Sequence, residues 1–259
     1  MRKLNLKKQW DQATPSWVDF VRTGKDYHRD ELNNPTMFEI LGNISGKKIL
    51  DLGCGEGYNA RIMAKKGAKV WGVDFSKKMI DFAIQKEKKD KLGIVYHPAD
   101  AYNLKMFKNN TIDIVVCFMA LQDIRDYQKA IKEAYRVLLK SGRFLFSIPH
   151  PCFETTEKQN YKRKLKDKLK EEMIHFKVKD YFNAHSYTVP WKMKRLTQHF
   201  ETTSFHRTLT HYVDALRDAK FLISRVKEPK PSKKGIRKHP IMKLHLIIPQ
   251  SVVVEAVKL

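Results

Sequence analysis

Apolar residues recur along this chain with two different periods, and the two periods alternate. Short runs of β-branched and apolar residues, near Ile49 and at 69–74, 111–117 and 143–148, are typical of strands buried on both faces. Between these runs, apolar residues return every three or four positions, which is typical of helices packed on one face. This alternation predicts an α/β fold in which a mostly parallel sheet carries helices on both faces.

Capping and stop signals bound the helices. Asn34 before Pro35 predicts an N-cap followed by proline at the first helical position, and Ser76 predicts a second N-cap. Gly142 predicts the end of a helix that begins at Asp126. These signals predict helices at 17–22, 36–41, 57–67, 77–88, 126–140 and 208–219, a strand at 200–207, and sixth and seventh sheet strands at 221–226 and 251–257.

The most informative stretch follows the first strand. Asp51 ends that strand, and glycines then occupy alternate positions, with Cys54 among them, before helical spacing resumes. Glycine is required where the backbone approaches a ligand closely or takes positive φ. The helix that follows offers free N–H groups at its N-terminus. This strand, turn and helix predict a site for a nucleotide-like cofactor, with the loop glycines Gly53, Gly55 and Gly57 in contact with it.

Two more acids follow later strands. Asp74 ends the second strand, where a carboxylate accepts hydrogen bonds from ribose hydroxyls, and Asp100 could bind an adenine amino group. A dinucleotide would suit Asp74 equally well. However, the Gly-x-Gly-x-Gly turn beside Asp51 favours a cationic ligand, such as the ammonium and sulfonium of S-adenosylmethionine, over a pyrophosphate. Phe75 and Met79 could sandwich the adenine, although a methionine at helical spacing is equally typical of a core.

Four ordered blocks together resemble a known family. The segments 51–57, 72–76, 100–101 and 113–117 are similar to the class I S-adenosylmethionine-dependent methyltransferases, in particular the small-molecule methyltransferase type 11 group. The resemblance covers roughly residues 35–150. It implies a Rossmann-like fold with a seven-stranded, mostly parallel sheet, an antiparallel last strand, and an insertion after strand 5 that roofs the substrate. It also implies S-adenosylmethionine as cofactor and S-adenosylhomocysteine as product.

The same resemblance divides the chain. Residues 1–34 would form an N-terminal lid, residues 35–153 and 206–259 the Rossmann-like domain, and residues 154–205 the inserted cap. In the lid, Tyr27 and Arg29 are candidates for contact with the cofactor carboxylate or the substrate; the alternative is that the aromatic residues of this segment only anchor it. In the cap, a lysine-rich surface helix is predicted at 161–173.

Residues after the fourth and fifth strands should face the methyl-transfer site. The backbone at Cys117 and Phe118 should line the methionine portion of the cofactor, and Asp123 should face the acceptor unless it only caps the next helix. His150, held between two prolines, is a possible general base, with a loop histidine bonded to backbone as the alternative. His206 is a further candidate for the same pocket. Ser76 and Ala101 complete the predicted cofactor contacts.

Charge keeps two other functions open. The 259 residues carry a formal net charge of +23, from 51 Lys and Arg against 28 Asp and Glu. Only 13 of the basic residues are arginine, and the lysines are dispersed, which favours a solvated surface over a nucleic-acid track. An RNA (tRNA or rRNA) methyltransferase remains an alternative, with residues 225–243 as the most credible basic patch. A non-catalytic S-adenosylmethionine-binding protein is the other.

The remaining composition predicts the setting. No apolar run is long enough to span a bilayer, and the N-terminus lacks an apolar signal region. Three scattered cysteines indicate neither a disulfide framework nor a zinc site, and no metal is predicted. We therefore expect a cytoplasmic monomer or homodimer that acts on a small-molecule acceptor, without a membrane partner.

Overall fold

The computed structural model describes residues 5–153, 178 and 180–259, and a seven-stranded sheet lies at its centre. The strands of this sheet are β1 Lys48–Leu52, β2 Lys69–Asp74, β3 Val95–Pro98, β4 Ile112–Phe118, β5 Leu138–Pro149, β8 Phe221–Lys227 and β9 Ser251–Lys258. They lie in the order β3-β2-β1-β4-β5-β9-β8. The first five pair in parallel, whereas β9 runs antiparallel to both β5 and β8. The predicted Rossmann-like sheet with an antiparallel last strand is confirmed.

Helices cover both faces of this sheet. Neighbouring residues of a strand point to opposite faces, so Leu50 and Val115 pack in one apolar cluster while Ile49 and Val116 pack in the other. The helices are α1 Leu6–Arg22, α2 Asn34–Leu41, α3 Tyr58–Lys65, α4 Lys77–Asp90, α5 Tyr127–Val137, α6 Leu209–Asp218 and α7 Lys233–Lys238. The first cluster includes residues of α5 and α6, and the second includes residues of α2, α3 and α4. None of these helices is long and apolar enough to cross a membrane.

Several predicted element ends were wrong. Helix α1 begins eleven residues before the predicted start at 17, because it accommodates Pro15 and Asn5 caps it by accepting a hydrogen bond from the Lys8 amide. Asn34 is not an N-cap: it lies in the first turn of α2 and donates its side-chain amide to Asn59 Oδ1 at 2.7 Å. Helix α5 ends at Val137 rather than at 140.

Beyond β5, the chain forms a second, smaller sheet. Its strands are β6 His185–Trp191 and β7 Phe200–His206, which pair antiparallel to each other. Strand β7 matches the predicted strand at 200–207, whereas β6 was not predicted. The basic stretch 225–243, predicted as a loop, contains the end of β8, the short helix α7 and part of a 3-10 segment, Pro240–Leu246. The predicted helix at 161–173 lies outside the described residues.

Candidate active site

The carboxyl ends of the parallel strands meet at one edge of the sheet. The strand register sets Leu52 beside Val73 and Asp74 beside Pro98, so the residues that follow these strands emerge together. A cavity of about 1560 Å³ opens at this edge. Strand ends form its floor, residues of α1 and the segment 26–34 form a wall, and β6 and β7 lie across it.

The glycine loop between β1 and α3 forms the floor at its centre. The Gly53 amide donates to the Val73 carbonyl at 2.8 Å, and the Gly55 amide donates to Asp74 Oδ2 at 2.9 Å. Gly55 has a φ of +54°, and a Cβ added there would meet nothing within 4 Å, although the residue lines the cavity. A Cβ on Gly53 would collide with Ala120, and one on Gly57 with the Tyr96 ring. Gly55 therefore leaves space for a ligand, whereas its two neighbours allow close packing.

Two buried carboxyl groups line the cavity beside this loop. Asp74 accepts hydrogen bonds from the amides of Gly55 and Ser76, and burial nevertheless raises its pKa to about 6. Asp51 is 1% exposed, and its Oδ2 has no hydrogen-bond partner among the described residues. Burial, followed by the neighbouring charge of Asp74, raises the pKa of Asp51 to about 8. A cation bound here would stabilise the ionised form of Asp51.

Arg29 contributes the opposite charge. Its guanidinium stacks on the Tyr58 ring at 3.7 Å, and it donates to Asp30 and to the Val21 carbonyl. The remaining nitrogen, Nη1, is buried and lacks a partner in the described structure, although Arg29 lines the cavity. A buried guanidinium nitrogen without an acceptor costs free energy unless a ligand supplies one. Arg29 is thus a ready-made site for a carboxylate.

Ion pairs and hydrogen bonds tie helix α1 to the glycine loop. Glu56 is 2% exposed and pairs through its two oxygens with Arg22 and Arg61, each at 2.7 Å. Asp11 accepts a hydrogen bond from the Ser76 hydroxyl at 2.6 Å. The N-terminal wall of the cavity is therefore fixed to the loop that forms its floor.

Strands β6 and β7 present one face to the cavity. Ser204 in β7 lies opposite Tyr187 in β6, and its hydroxyl donates to Asp123 Oδ1 in the turn after β4. This bond joins the roof to the sheet edge. The cavity-lining residues of the two strands include His185, Tyr187, Val189 and Trp191 from β6, and Thr202, Ser204 and His206 from β7.

Comparison with known proteins identifies this arrangement. Residues 50–146 match the family described as "Methyltransferase domain", Methyltransf_11. A solved structure from Listeria monocytogenes, assigned to the S-adenosylmethionine-dependent methyltransferases, is 27% identical with a TM-score of 0.68, covering 88% of this chain and 96% of that one. Residues 50–146 are therefore a methyltransferase domain of this family. A methyltransferase structure from Mesorhizobium loti shares the fold, at 24% identity and a TM-score of 0.67, covering 86% of this chain and 96% of that one.

Curated relatives match shorter parts of this methyltransferase. An uncharacterized protein of Haemophilus influenzae is 29% identical over 205 residues, which is 76% of each chain. A ubiquinone biosynthesis O-methyltransferase of Coxiella burnetii is 35% identical over 126 residues, which is 48% of this chain and 53% of that enzyme. The chain thus matches about half the length of the latter enzyme.

The cofactor of this family, S-adenosylmethionine, fits the residues present. Its amino-acid portion carries one carboxylate and one ammonium. The cavity offers a buried cationic donor, Arg29 Nη1, and a buried carboxylate acceptor, Asp51 Oδ2, neither of which has a partner among the described residues. Asp74 lies where ribose hydroxyls would need an acceptor. Residues beyond it, Phe75 and Met79, line the same cavity, and so do Cys54, Tyr27, Asp100, Ala101 and Phe118.

Three predicted cofactor contacts lie elsewhere in the methyltransferase. Gly57 does not line the cavity, because it starts α3 against Tyr96. Ser76 is fully buried. Its hydroxyl donates a hydrogen bond to Asp11 and caps α4 by accepting one from the Met79 amide. Cys117 is buried in the apolar cluster that includes α5, and this burial raises the pKa of its thiol. None of these side chains faces the cavity.

The prediction that His150 faces the transfer site is not met. His150 does not line the cavity, and both ring nitrogens are engaged: Nε2 donates to Glu228 Oε1 at 2.9 Å, and Nδ1 accepts from the Cys152 amide at 3.3 Å. Burial lowers the pKa of His150, which favours the neutral ring. Neither nitrogen is available to take a proton from an acceptor.

Two other histidines do line the cavity. His206, as predicted from the sequence, is there, and its Nε2 lies 2.8 Å from the Tyr181 carbonyl. His185, which sequence reasoning missed, lies beside it in the roof, with Nδ1 at 2.7 Å from the Asn183 carbonyl. Because a carbonyl only accepts, each of these nitrogens carries a hydrogen, and the other nitrogen of each neutral ring is an acceptor.

Two glutamine oxygens complete the acceptor side. Gln122 donates its amide to the Met119 carbonyl at 2.6 Å, while its Oε1 is buried without a partner in the described parts of the chain. Gln250 Oε1 is in the same situation, and both residues line the cavity. The region beyond the glycine loop is therefore rich in hydrogen-bond acceptors, and a ligand with O–H or N–H groups would satisfy them.

Proposed function

We propose that this protein transfers the methyl group of S-adenosylmethionine to an oxygen, nitrogen or carbon atom of a small organic acceptor, by direct in-line transfer. One observation carries this proposal: the cavity continues from the glycine loop to the β6–β7 roof as one space of about 1560 Å³. Pockets for a single drug-sized ligand are roughly 300–1,000 Å³. The larger space suits a cofactor and an acceptor held side by side.

Relatives give this proposal further support. The ubiquinone biosynthesis O-methyltransferases, matched over about half their length, are named for methyl transfer to oxygen in the synthesis of a small molecule. Oxygen is accordingly the accepting atom that we favour. Because the match is partial, the identity of the acceptor stays open.

The residues have distinct tasks in this scheme. Bound S-adenosylmethionine supplies an electrophilic methyl group on a cationic sulfur. Asp51 and Arg29 hold the two charges of its amino-acid portion, and Asp74 accepts from its ribose. Phe118 lines the cavity where the methionine portion of the cofactor would lie, and Asp123 stands in the turn after β4, where it positions the acceptor. Holding the reacting atoms in line can supply most of the rate enhancement.

A proton must leave an acceptor that reacts through a hydroxyl group. His206, Asp123 and His185 are the groups that we propose for this step. Asp123 already accepts from Ser204, whereas His185 has no hydrogen bond beyond Asn183 among the described residues. His185 Nε2 and His206 Nδ1 are therefore more available acceptors of that proton than Asp123.

The experiment that tests the proposal is transfer of a labelled methyl group in host cell extract, fractionated into small molecules, nucleic acid and protein. Label in the small-molecule fraction supports it and gives the mass of the acceptor. Label in a nuclease-sensitive fraction would instead support the RNA alternative, and absence of label in every fraction, with cofactor binding intact, would support a non-catalytic protein.

A further inference from the structure

Four cationic side chains line the cavity on α1 and just after β6. The carboxyl group of Asp26 also lines the cavity and interacts electrostatically with Arg195. No ion pair joins these cations to any carboxylate within residues 5–153, 178 and 180–259, unlike Arg22 and Arg61, which share Glu56. The cations in question are Lys7, Lys192, Lys194 and Arg195.

Arg195 is the member of this group that packs against aromatic rings. Its guanidinium stacks over the Tyr27 ring at 4.3 Å and lies 5.2 Å from the Phe20 ring. In the described structure its hydrogen bonding is limited to the Met193 sulfur at 3.4 Å, and a thioether is a weak acceptor. Two aromatic rings thus hold a planar cation in place while most of its N–H donors remain available.

Aromatic rings continue from this cation into the cavity. Phe20 lies 5.7 Å from Trp17, and Trp17 lies 5.0 Å from Trp191 in a T-shaped contact. Trp10 packs on Trp17 from the other side at 5.6 Å. All four of these side chains line the cavity. A flat apolar surface therefore lies next to the unpaired cations.

We propose that the methyl acceptor carries an anionic group, such as a carboxylate or sulfonate, which Arg195 binds with help from Lys192 and Lys194. Its aromatic or otherwise flat body packs against Trp17 and Trp191. Guanidinium groups bind such anions with two parallel hydrogen bonds, which gives orientation as well as affinity. This inference deepens the proposed function and rests on it, because it assigns the part of the cavity beside Arg195 and the end of β6 to the acceptor.

The carboxylate of the cofactor could also bind Arg195. Tyr27, which contacts the Arg195 guanidinium, belongs to the same wall of the cavity as Arg29, the residue proposed to hold that carboxylate. Arg29 meets the need of that carboxylate better, because its Nη1 is buried and without a partner, whereas Arg195 is half-buried. Substitution of Arg195 should therefore leave cofactor affinity unchanged, and substitution of Arg29 should not.

The test uses the full chain saturated with S-adenosylhomocysteine, and two probes of equal shape, naphthalene-2-carboxylate and naphthalene-2-carboxamide. Binding is followed by calorimetry and by quenching of tryptophan fluorescence. The wild-type protein should bind the carboxylate tighter than the amide by about tenfold or more, the effect of one charge-assisted hydrogen bond. Arg195→Gln should reduce this preference to about threefold or less with the amide affinity unchanged, and Arg195→Lys should retain part of it.

Arg225→Gln is the matched control, because Arg225 is 53% exposed on β8 and does not line the cavity. It should keep the full preference. Equal binding of the two probes by the wild-type protein, no binding of either, or a preference that survives Arg195→Gln would each overturn the proposal. So would a loss of S-adenosylhomocysteine affinity in Arg195→Gln as large as that in Arg29→Gln. The two probes are also titrated into the protein without S-adenosylhomocysteine. A preference for the carboxylate in that titration would support the anion site even if no methyl transfer were detected, so failure of the proposed function and failure of this inference can be told apart.

Discussion

The buried carboxyl group of Asp51 should make the cofactor-free protein less stable as the pH rises. Its pKa is about 8 in the folded protein, against 3.8 for the free side chain. Between about pH 4 and about pH 8, the folded state therefore holds a proton on Asp51 that the unfolded state has lost. The free energy of unfolding consequently falls over this pH range and then levels off. At 1.36 kcal/mol for each pH unit, the loss is on the order of 5 kcal/mol.

Asp51→Asn removes this titration while preserving the shape of the side chain. Its new amide would occupy the position of Oδ2, which has no partner, and this costs roughly 1–3 kcal/mol at every pH. The decisive quantity is therefore the change in Tm between about pH 5 and about pH 8.5. With roughly 2–4 °C for each kcal/mol, the variant should gain on the order of 10 °C relative to wild type across that interval.

Thermal unfolding without cofactor, in matched buffers, measures this difference. Asp81→Asn is the control, because the Asp81 side chain is 47% exposed, and its Tm should follow that of wild type at every pH. Cofactor binding should weaken as well: Asp51→Asn should reduce the affinity for both S-adenosylmethionine and S-adenosylhomocysteine by about tenfold or more, because both carry the ammonium group that Asp51 holds. If Asp51→Asn and wild type lose Tm in parallel from pH 5 to pH 8.5, the argument from burial is refuted.

Other substitutions test other parts of the site. Gly55→Ala should lower the free energy of unfolding by roughly 1–2 kcal/mol, because of its positive φ, and should reduce cofactor affinity at least about tenfold. Gly46 has a φ of +74° and equally open surroundings, so Gly46→Ala should lower the stability alone. Thermal unfolding measures the stability and calorimetry the affinity, and equal cofactor binding by the two variants would contradict this prediction. Arg29→Gln should weaken cofactor binding on the order of tenfold, and an unchanged Kd would remove Arg29 from the cofactor site. His185→Gln should lower kcat/KM about 10²-fold, flatten its pH profile and leave cofactor affinity intact. Wild-type turnover in His185→Gln would exclude the base role, and the exposed His199 on the same hairpin provides the control substitution.

The sheet and the cofactor floor were predictable because their signals are local. A carboxylate at a strand end is placed by the strand itself, so Asp51 and Asp74 could be assigned without knowledge of any distant contact. Parallel pairing then brings the two strand ends to one edge, with Leu52 beside Val73. The same reasoning fails for Ser76, since its partner Asp11 belongs to a helix 65 residues earlier.

Residues of the acceptor side could not be assigned in this way. His150 has the local surroundings of an active-site base, but Glu228, which is 78 residues away in sequence, binds its ring outside the cavity. His185 lies in a stretch without a recognisable motif, and it enters the roof only because β6 pairs with β7. Cross-strand pairing over a connecting loop is not readable from a single strand, which explains why β6 itself was missed.

The large net charge left open an anionic partner at the basic stretch 225–243, and the contacts of that stretch weigh against it. In the basic stretch 225–243, Lys227 pairs with Glu39 at 2.7 Å and Lys238 pairs with Glu31 at 2.8 Å, so part of its charge is neutralised within the chain. Arg195 forms no ion pair with a carboxylate among the described residues, although Asp26 interacts with it electrostatically, and aromatic rings shield its guanidinium from water on one side. A cation that is partly desolvated binds an anion more strongly than a fully hydrated lysine does. The position of a few unpaired cations inside the cavity, rather than the total of +23, is therefore the stronger guide to the acceptor.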